Sequence, residues 1–151
     1  MLPFLVPDVA AQSISVGTRH TCAIVSSGKV KCWGKNSKGQ QGNGDTVIRG
    51  KSSGTMGDDL PFVNIGTGKA ALSISAGGFH TCAILNDESL RCWGYGSGGR
   101  LGSGASSNIG DTPDTMGDNL QKVNLGTDRS PIQVVAGEDY TCVLLDDYGV
   151  K

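Results

Sequence analysis

His20-Thr21-Cys22-Ala23-Ile24-Val25-Ser26-Ser27-Gly28-Lys29-Val30-Lys31-Cys32-Trp33-Gly34 returns sixty residues later as His80-Thr81-Cys82-Ala83-Ile84-Leu85-Asn86-Asp87-Glu88-Ser89-Leu90-Arg91-Cys92-Trp93-Gly94. A third copy begins as Tyr140-Thr141-Cys142-Val143-Leu144-Leu145. Outside this stretch the same interval separates Met56 from Met116, and Thr55-Met56-Gly57-Asp58 from Thr115-Met116-Gly117-Asp118. A fixed period of this size marks stacked or radial copies of one supersecondary unit. It also argues that the recurring residues are framework, because a catalytic constellation rarely occurs once per repeat.

Each copy reads as short strands. In the second, Phe62-Val63-Asn64-Ile65 is a β-prone run and Leu72-Ser73-Ile74-Ser75-Ala76 alternates apolar with small polar residues. Thr81–Leu85 is a continuous apolar run suited to a strand covered on both faces, and Leu90-Arg91-Cys92-Trp93 follows a tight turn. Four short strands in a meander, repeated radially, make a propeller blade; a β-helix repeat is much shorter. The expected fold is all-β, a partial β-propeller of about two and a half to three four-stranded antiparallel blades. Leu2-Pro3-Phe4 opens copy one and Leu60-Pro61-Phe62 opens copy two. The boundaries expected are blade 1 at 2–34, a connector at 35–59, blade 2 at 60–94, a connector at 95–119 and an incomplete blade 3 at 120–151. Propellers close with about 4–8 blades, so the chain reads as a piece of a ring, or an arc with open strand edges.

Bulk composition bounds the function. Glycine supplies 24 of 151 residues, about twice the usual ~7%, as turns between short strands require. Thirteen Lys and Arg against 14 Asp and Glu leave a net charge of −1 with no clustered basic face, which argues against nucleic acid as a partner. No run approaches the ~20 apolar residues of a membrane span. Met1-Leu2-Pro3-Phe4-Leu5-Val6 is apolar but short and lacks a basic start, so it does not read as a signal peptide. The two connectors are rich in Gly, Ser, Asp and Asn, and the repeated Met-Gly-Asp within them predicts a docked, ordered portion. Binding residues concentrate on loops held by a rigid scaffold, so a protein partner is expected there.

The five cysteines fall into two classes. With Ser26-Ser27-Gly28 as a three-residue loop and Gly28 left-handed, Ile24 faces Val30 and Cys22 faces Cys32. Residues opposed in this way lie within reach of a disulfide. The spacing predicts Cys22–Cys32 and Cys82–Cys92, although Glu88 holds the turn position of Gly28 in copy two. The partner of Cys142 falls due at position 152, so Cys142 is expected to be unpaired by truncation. Buried, reduced cysteines are the alternative. Stable disulfides mark oxidising compartments, so an extracellular or cell-surface location is expected, and a cytoplasmic or nuclear one if the cysteines are reduced. Zinc needs four ligands, whereas His20, Cys22 and Cys32 offer three and Tyr140 replaces the histidine in copy three.

The other motifs read as framework. Gly94-Tyr95-Gly96-Ser97-Gly98-Gly99 fits G-x-G-x-x-G but is not followed by the helix a dinucleotide site requires. His20 and His80 have no acid–base partner in the pattern. Thr21, Thr81 and Thr141 are placed to satisfy backbone groups with their hydroxyls. Trp33 and Trp93 suit packing between blades better than a carbohydrate platform. Gly17, Gly77 and Gly137 repeat as structural positions. The loop aspartates Asp45, Asp58, Asp59, Asp111, Asp114 and Asp118 lack the calcium-loop pattern. No catalytic residue, metal or cofactor is expected.

Ile14-Ser15-Val16-Gly17 leading to His20-Thr21-Cys22-Ala23-Ile24, then Val30-Lys31-Cys32-Trp33-Gly34 and Gly39-Gln40-Gln41-Gly42-Asn43-Gly44-Asp45, resembles the repeats of the regulator of chromosome condensation family. Copy two carries the resemblance from Ile74-Ser75-Ala76-Gly77 to Gly99-Arg100-Leu101-Gly102-Ser103-Gly104, and copy three through Val135-Ala136-Gly137 and Tyr140–Leu145. The resemblance implies a seven-bladed propeller, of which this chain would supply under half. The paired cysteines and the Met-Gly-Asp-Asn-Leu connector resemble members predicted to be extracellular. The founding member is a guanine-nucleotide exchange factor for a small GTPase that binds chromatin, and others are interaction scaffolds. The expectation is a non-enzymatic protein-interaction scaffold, with nucleotide exchange on a small GTPase as the alternative. A hydrolase would need a convergent acid–base set that the sequence lacks.

Overall fold

The computed structural model describes residues 13–151. Leu2-Pro3-Phe4, expected to open copy one, lies outside them. Eight strands form three antiparallel sheets in chain order. The first holds β1 (Ser13–Val16), β2 (His20–Ile24) and β3 (Val30–Gly34). The second holds β4 (Ala71–Ala76), β5 (His80–Leu85) and β6 (Leu90–Gly94). The third holds β7 (Pro131–Ala136) and β8 (Thr141–Leu145). Three successive meanders of this kind are blades of a partial propeller.

The hairpins follow the sequence. Gly28 is left-handed at φ 71°, Val25 N–H donates to Lys29 O at 2.8 Å, and the register sets Ile24 opposite Val30 and Cys22 opposite Cys32. In copy two Glu88 takes the left-handed position at φ 60°, a conformation costing a non-glycine residue about 1–2 kcal/mol. The register nonetheless repeats, with Cys82 opposite Cys92.

The fourth strand is a correction. Phe62–Ile65, expected to open blade 2, instead meets the outer edge of blade 1 in a single antiparallel bridge, Val63 to Val30, with Val63 N–H donating to Val30 O at 2.8 Å. Lys122 meets Arg91 of blade 2 in the same way. The first two sheets are thus three-stranded, each with a one-residue rung from the following run, and the third has two strands. Pro61 offers no N–H to a ladder, and Gly66 at φ 115° turns the chain away, so the pairing stays short. Val63 and Ile65 are buried while Phe62 and Asn64 are exposed. The apolar alternation holds, but it serves the preceding blade.

The core lies between blades. One cluster packs Cys22, Ile24, Val30 and Cys32 against Ile74, Ala83, Leu85 and Trp93, sealed by Val63, Ile65, Met116 and Leu120. The next packs Cys82, Ile84, Leu90 and Cys92 against Val134, Val143 and Leu145, with Leu101 and Leu125. Strand β5 is buried along its whole length because blades cover both its faces.

Candidate interaction sites at the blade junctions and connectors

The first junction is built on a polar relay inside the apolar layer. Thr81 Oγ1 donates to Gln40 O at 2.9 Å. Its proton is thereby committed, so at 2.8 Å it accepts from His20 Nε2–H. That fixes the tautomer: Nδ1 of His20 is unprotonated and buried without a partner. Burial, and then the field of His80, lowers the His20 pKa to about 4, so the ring is neutral at pH 7. Trp93 Nε1 donates to the same Gln40 carbonyl at 3.1 Å. Strand-to-strand spacing is set by glycine: a Cβ on Gly17 would lie 2.2 Å from Gly77 O, and Thr18 N–H donates to that carbonyl at 3.2 Å.

The second junction repeats the relay. Thr141 Oγ1 donates to Arg100 O at 2.9 Å and accepts from His80 Nε2–H at 2.9 Å. Burial, then the charge of Arg100, lowers the His80 pKa to about 4 against smaller opposing effects of Asp139 and the Tyr140 backbone. Ser15 and Ser75 complete the pattern, each accepting from the next blade's backbone, Ala76 N–H and Ala136 N–H, at 2.9 Å. The second junction differs in one respect. It opens into a groove of about 290 Å³ beside β8, whose rim carries the Arg100–Asp139 ion pair.

Each predicted position has a defined place. Cys22–Cys32 and Cys82–Cys92 are disulfides, with Cα atoms 4.1 Å apart in both, and Cys142 is free and exposed. Trp93 is fully buried at the first junction, whereas Trp33 is half-buried beside Gly50 and Met56. Gly137 lies against the Tyr140 ring as Gly77 lies against His80. His20 is engaged by Thr81 and Cys22 by Cys32, so this trio is not free to ligate a metal. In the G-x-G-x-x-G stretch, Gly94 bridges Ile109 and a Cβ on Gly96 would lie 1.9 Å from Ser107 O. A 3-10 turn at Ser97–Gly99 follows instead of an α-helix. Gly94 and Gly96 admit the close approach of neighbouring backbone, while no atom lies within 4 Å of a Cβ on Gly99.

The connectors are pinned. Buried Asn36 donates to Asp45 O at 2.8 Å and Val47 O at 3.1 Å, and accepts from Gln41 N–H at 2.9 Å. Arg49 pairs with Asp45 at 2.7 Å, and its hydrogen bond holds the Asp45 carboxyl below the ordinary range. The Met-Gly-Asp portion of the second connector docks on blade 1: Met116 is buried, Gly117 N–H donates to Asn64 O at 2.9 Å, and Asp118 accepts from Thr67 N–H at 2.7 Å. Met56 in the first connector stays 43% exposed. The same connector leaves Val47 and Ile48 exposed, and Phe62 is exposed in the run that follows it. Lys29 and Lys31 stand over the Phe62 ring at 4.8 and 4.9 Å. Sequence reading took Phe62 for a strand residue. Its pairing with two lysines joins positions 29, 31 and 62, and the period alone gives no signal of that.

Among the described residues no helix is long and apolar enough to cross a membrane. Two sequence profiles, both described as regulator of chromosome condensation (RCC1) repeat, match residues 11–40 with 72–100, and residues 27–84. The chain is 32% identical over 99 residues to the ultraviolet-B receptor UVR8 of Arabidopsis thaliana, covering 64% of this chain and 20% of that protein. It is 30% identical over 140 residues to the X-linked retinitis pigmentosa GTPase regulator homolog of Caenorhabditis elegans, covering 93% of this chain and 9% of that protein. Its fold matches the crystal structure of Prp20p from Saccharomyces cerevisiae with a TM-score of 0.64 at 20% identity, over 98% of this chain and 33% of that one. The chain therefore spans about a third or less of each of these relatives. Repeated blades, paired cysteines and matching profiles agree: the chain belongs to the regulator of chromosome condensation (RCC1) repeat family.

Proposed function

We propose that the chain is a non-enzymatic protein-interaction scaffold that binds a protein partner through its inter-blade connectors. The observation that carries this reading is Phe62, exposed at the edge of blade 1 with Lys29 and Lys31 over its ring, after a pinned connector that leaves Val47, Ile48 and Met56 exposed. Such an edge offers apolar area with a cationic border, suited to a partner surface with apolar and acidic groups. A photo-crosslinker at Val47 or Phe62 should capture a partner that a crosslinker at Lys51 does not. With the crosslinker at Ile48 instead, Val47→Ser with Phe62→Ala should abolish capture without lowering stability. Equal capture at both positions overturns the reading.

A second reading, nucleotide exchange on a small GTPase, is supported by relatives whose names mention GTPase regulation and Gsp1p binding. Accelerated nucleotide release from a panel of small GTPases would establish it and displace the scaffold. The two disulfides favour an extracellular or cell-surface setting. Thiol trapping in the native source should find Cys22, Cys32, Cys82 and Cys92 protected until reduction; finding all four reactive would place the protein in a reducing compartment.

A further inference from the structure

We propose that the pocket where the two connectors meet on blade 1 takes a short segment of a protein partner in which an apolar residue lies next to an acidic one. The proposal rests on the scaffold reading and names the chemistry of that partner. The pocket measures about 250 Å³. Its walls come from three places in the chain: Arg49 in the first connector, Pro61, Phe62 and Asn64 in the run that follows, and Pro113 and Met116 in the second connector. Backbone contacts hold the two connectors together. Gly44 N–H donates to Gly110 O at 3.0 Å, and a Cβ on Gly44 would lie 2.8 Å from Pro113 Cα. Blade 3 has no part in the pocket.

The period does not carry this pocket. Sixty residues on, Ala105 stands for Asp45, Ile109 for Arg49, Gln121 for Pro61 and Lys122 for Phe62. The cysteines, the tryptophans and the Thr relay recur because a blade needs them. These four residues do not recur, so building a blade does not require their chemistry.

The wall offers donors without acceptors. Asp45 takes the end of the Arg49 guanidinium, Nη1 donating to Oδ1 at 2.9 Å and Nη2 to Oδ2 at 2.7 Å. Nη1 also reaches Val47 O and Gln41 Oε1. The other edge, Nε–H and the second Nη2 hydrogen, has no acceptor among the described residues. Asn64 Oδ1 accepts from Gly66 N–H at 3.2 Å, which fixes the amide and leaves its Nδ2 hydrogens without an acceptor among the same residues. Arg49 is the one charged residue in the wall, and Asp58 and Asp59 lie outside it. A guanidinium edge binds a carboxylate through paired, charge-assisted bonds. Asp45 holds that edge in place beforehand, which lowers the ordering cost of binding. Lys29 and Lys31 over Phe62 add positive charge at the rim. Pro61, Phe62, Pro113 and buried Met116 give the apolar part of the wall, which suits an aliphatic side chain beside the acid.

The test is titration of the 151-residue chain with N-acetyl-Leu-Glu-amide, followed by NMR, against N-acetyl-Leu-Gln-amide. The glutamate peptide should shift the Met116 methyl and the Asn64 amide saturably, with the glutamine peptide about fivefold weaker or more. Added salt should weaken the first and spare the second. Arg49→Gln with Asp45→Asn removes the guanidinium without stranding its carboxylate, and should erase the preference for glutamate. Equal binding of the two peptides, shifts confined to other residues, or none at millimolar peptide would overturn the proposal. The peptide comparison on the unaltered chain decides it even if the variant fails to fold. Partner capture at Val47 or Phe62 without peptide shifts sinks the pocket and leaves the scaffold. Glutamate-selective shifts without any captured partner support the pocket and sink the scaffold.

Discussion

His20 on β2 donates to Thr81 on β5 at 2.8 Å, joining two blades through one hydroxyl that also donates to Gln40 O. A buried donor left without its acceptor costs about 1–3 kcal/mol. Thr81→Val keeps the shape and removes both bonds, so it should destabilise the chain by about 2–3 kcal/mol. Thr141→Val should cost nearer 1 kcal/mol, because the groove beside β8 lets water reach the groups it leaves. Urea midpoints of the two variants check the order.

The same histidines make stability depend on pH. Both are held neutral with pKa lowered to about 4 from 6.5, by burial first, then by His80 for His20 and by Arg100 for His80. Between those values the unfolded chain binds more protons than the folded one, so stability rises with pH. The contribution is complete above pH 6.5 and is lost as pH falls towards 4. Each shift corresponds to about 3 kcal/mol at most. Urea melts at pH 7, 5.5 and 4.5 should show a progressive loss, and His20→Gln should flatten the slope. A flat profile would mean that water or a carboxylate reaches both rings.

Each disulfide closes a separation of ten residues, which in the chain-entropy account stabilises by roughly 2–3 kcal/mol. Cys22→Ser with Cys32→Ser should lower stability by about that amount, and more if the serines stay buried and unpaired. Thiol titration in denaturant should give one thiol per chain before reduction and five after.

The two tryptophans should behave differently despite identical repeat positions. Trp93 is fully buried and its indole is bonded, so Trp93→Ala should cost about 3–5 kcal/mol. Trp33 is half-buried and its alanine variant should cost less than half as much. Acrylamide should quench Trp33 fluorescence and spare Trp93.

Much of this was legible in the residues, for local reasons. Ser26-Ser27-Gly28 fixes a loop length, loop length fixes register, and register puts Cys22 opposite Cys32. The repeat then carried the pairing to Cys82 and Cys92 in spite of Glu88. What escaped was which sheet a short run joins. Val63 and Ile65 alternate correctly, but alternation carries no address, and Val63 bridges Val30 of the preceding blade. The relay escaped too. The hydroxyls of Thr81 and Thr141 do satisfy backbone, the carbonyls of Gln40 and Arg100, but each carbonyl sits forty-one residues away and leaves no trace in sequence. Phe62 became a surface feature only when folding brought Lys29 and Lys31 over its ring.

Glycine at the junctions yields the sharpest steric prediction. Gly77 does not have a left-handed backbone, yet a Cβ there would lie 2.4 Å from Gly137 O and 2.5 Å from His80 Cε1. The first is backbone of the next blade and the second a buried ring, so neither can yield cheaply. Gly77→Ala should therefore force the second junction apart and cost about 1–3 kcal/mol, the range for overpacking. Gly68 offers the contrast: its backbone is left-handed at φ 68° and no atom lies within 4 Å of an added Cβ. Gly68→Ala should cost only the backbone term, about 1 kcal/mol. If Gly77→Ala proves the milder of the two in urea unfolding, the blades have slack between them and the glycine repeat does not set their spacing.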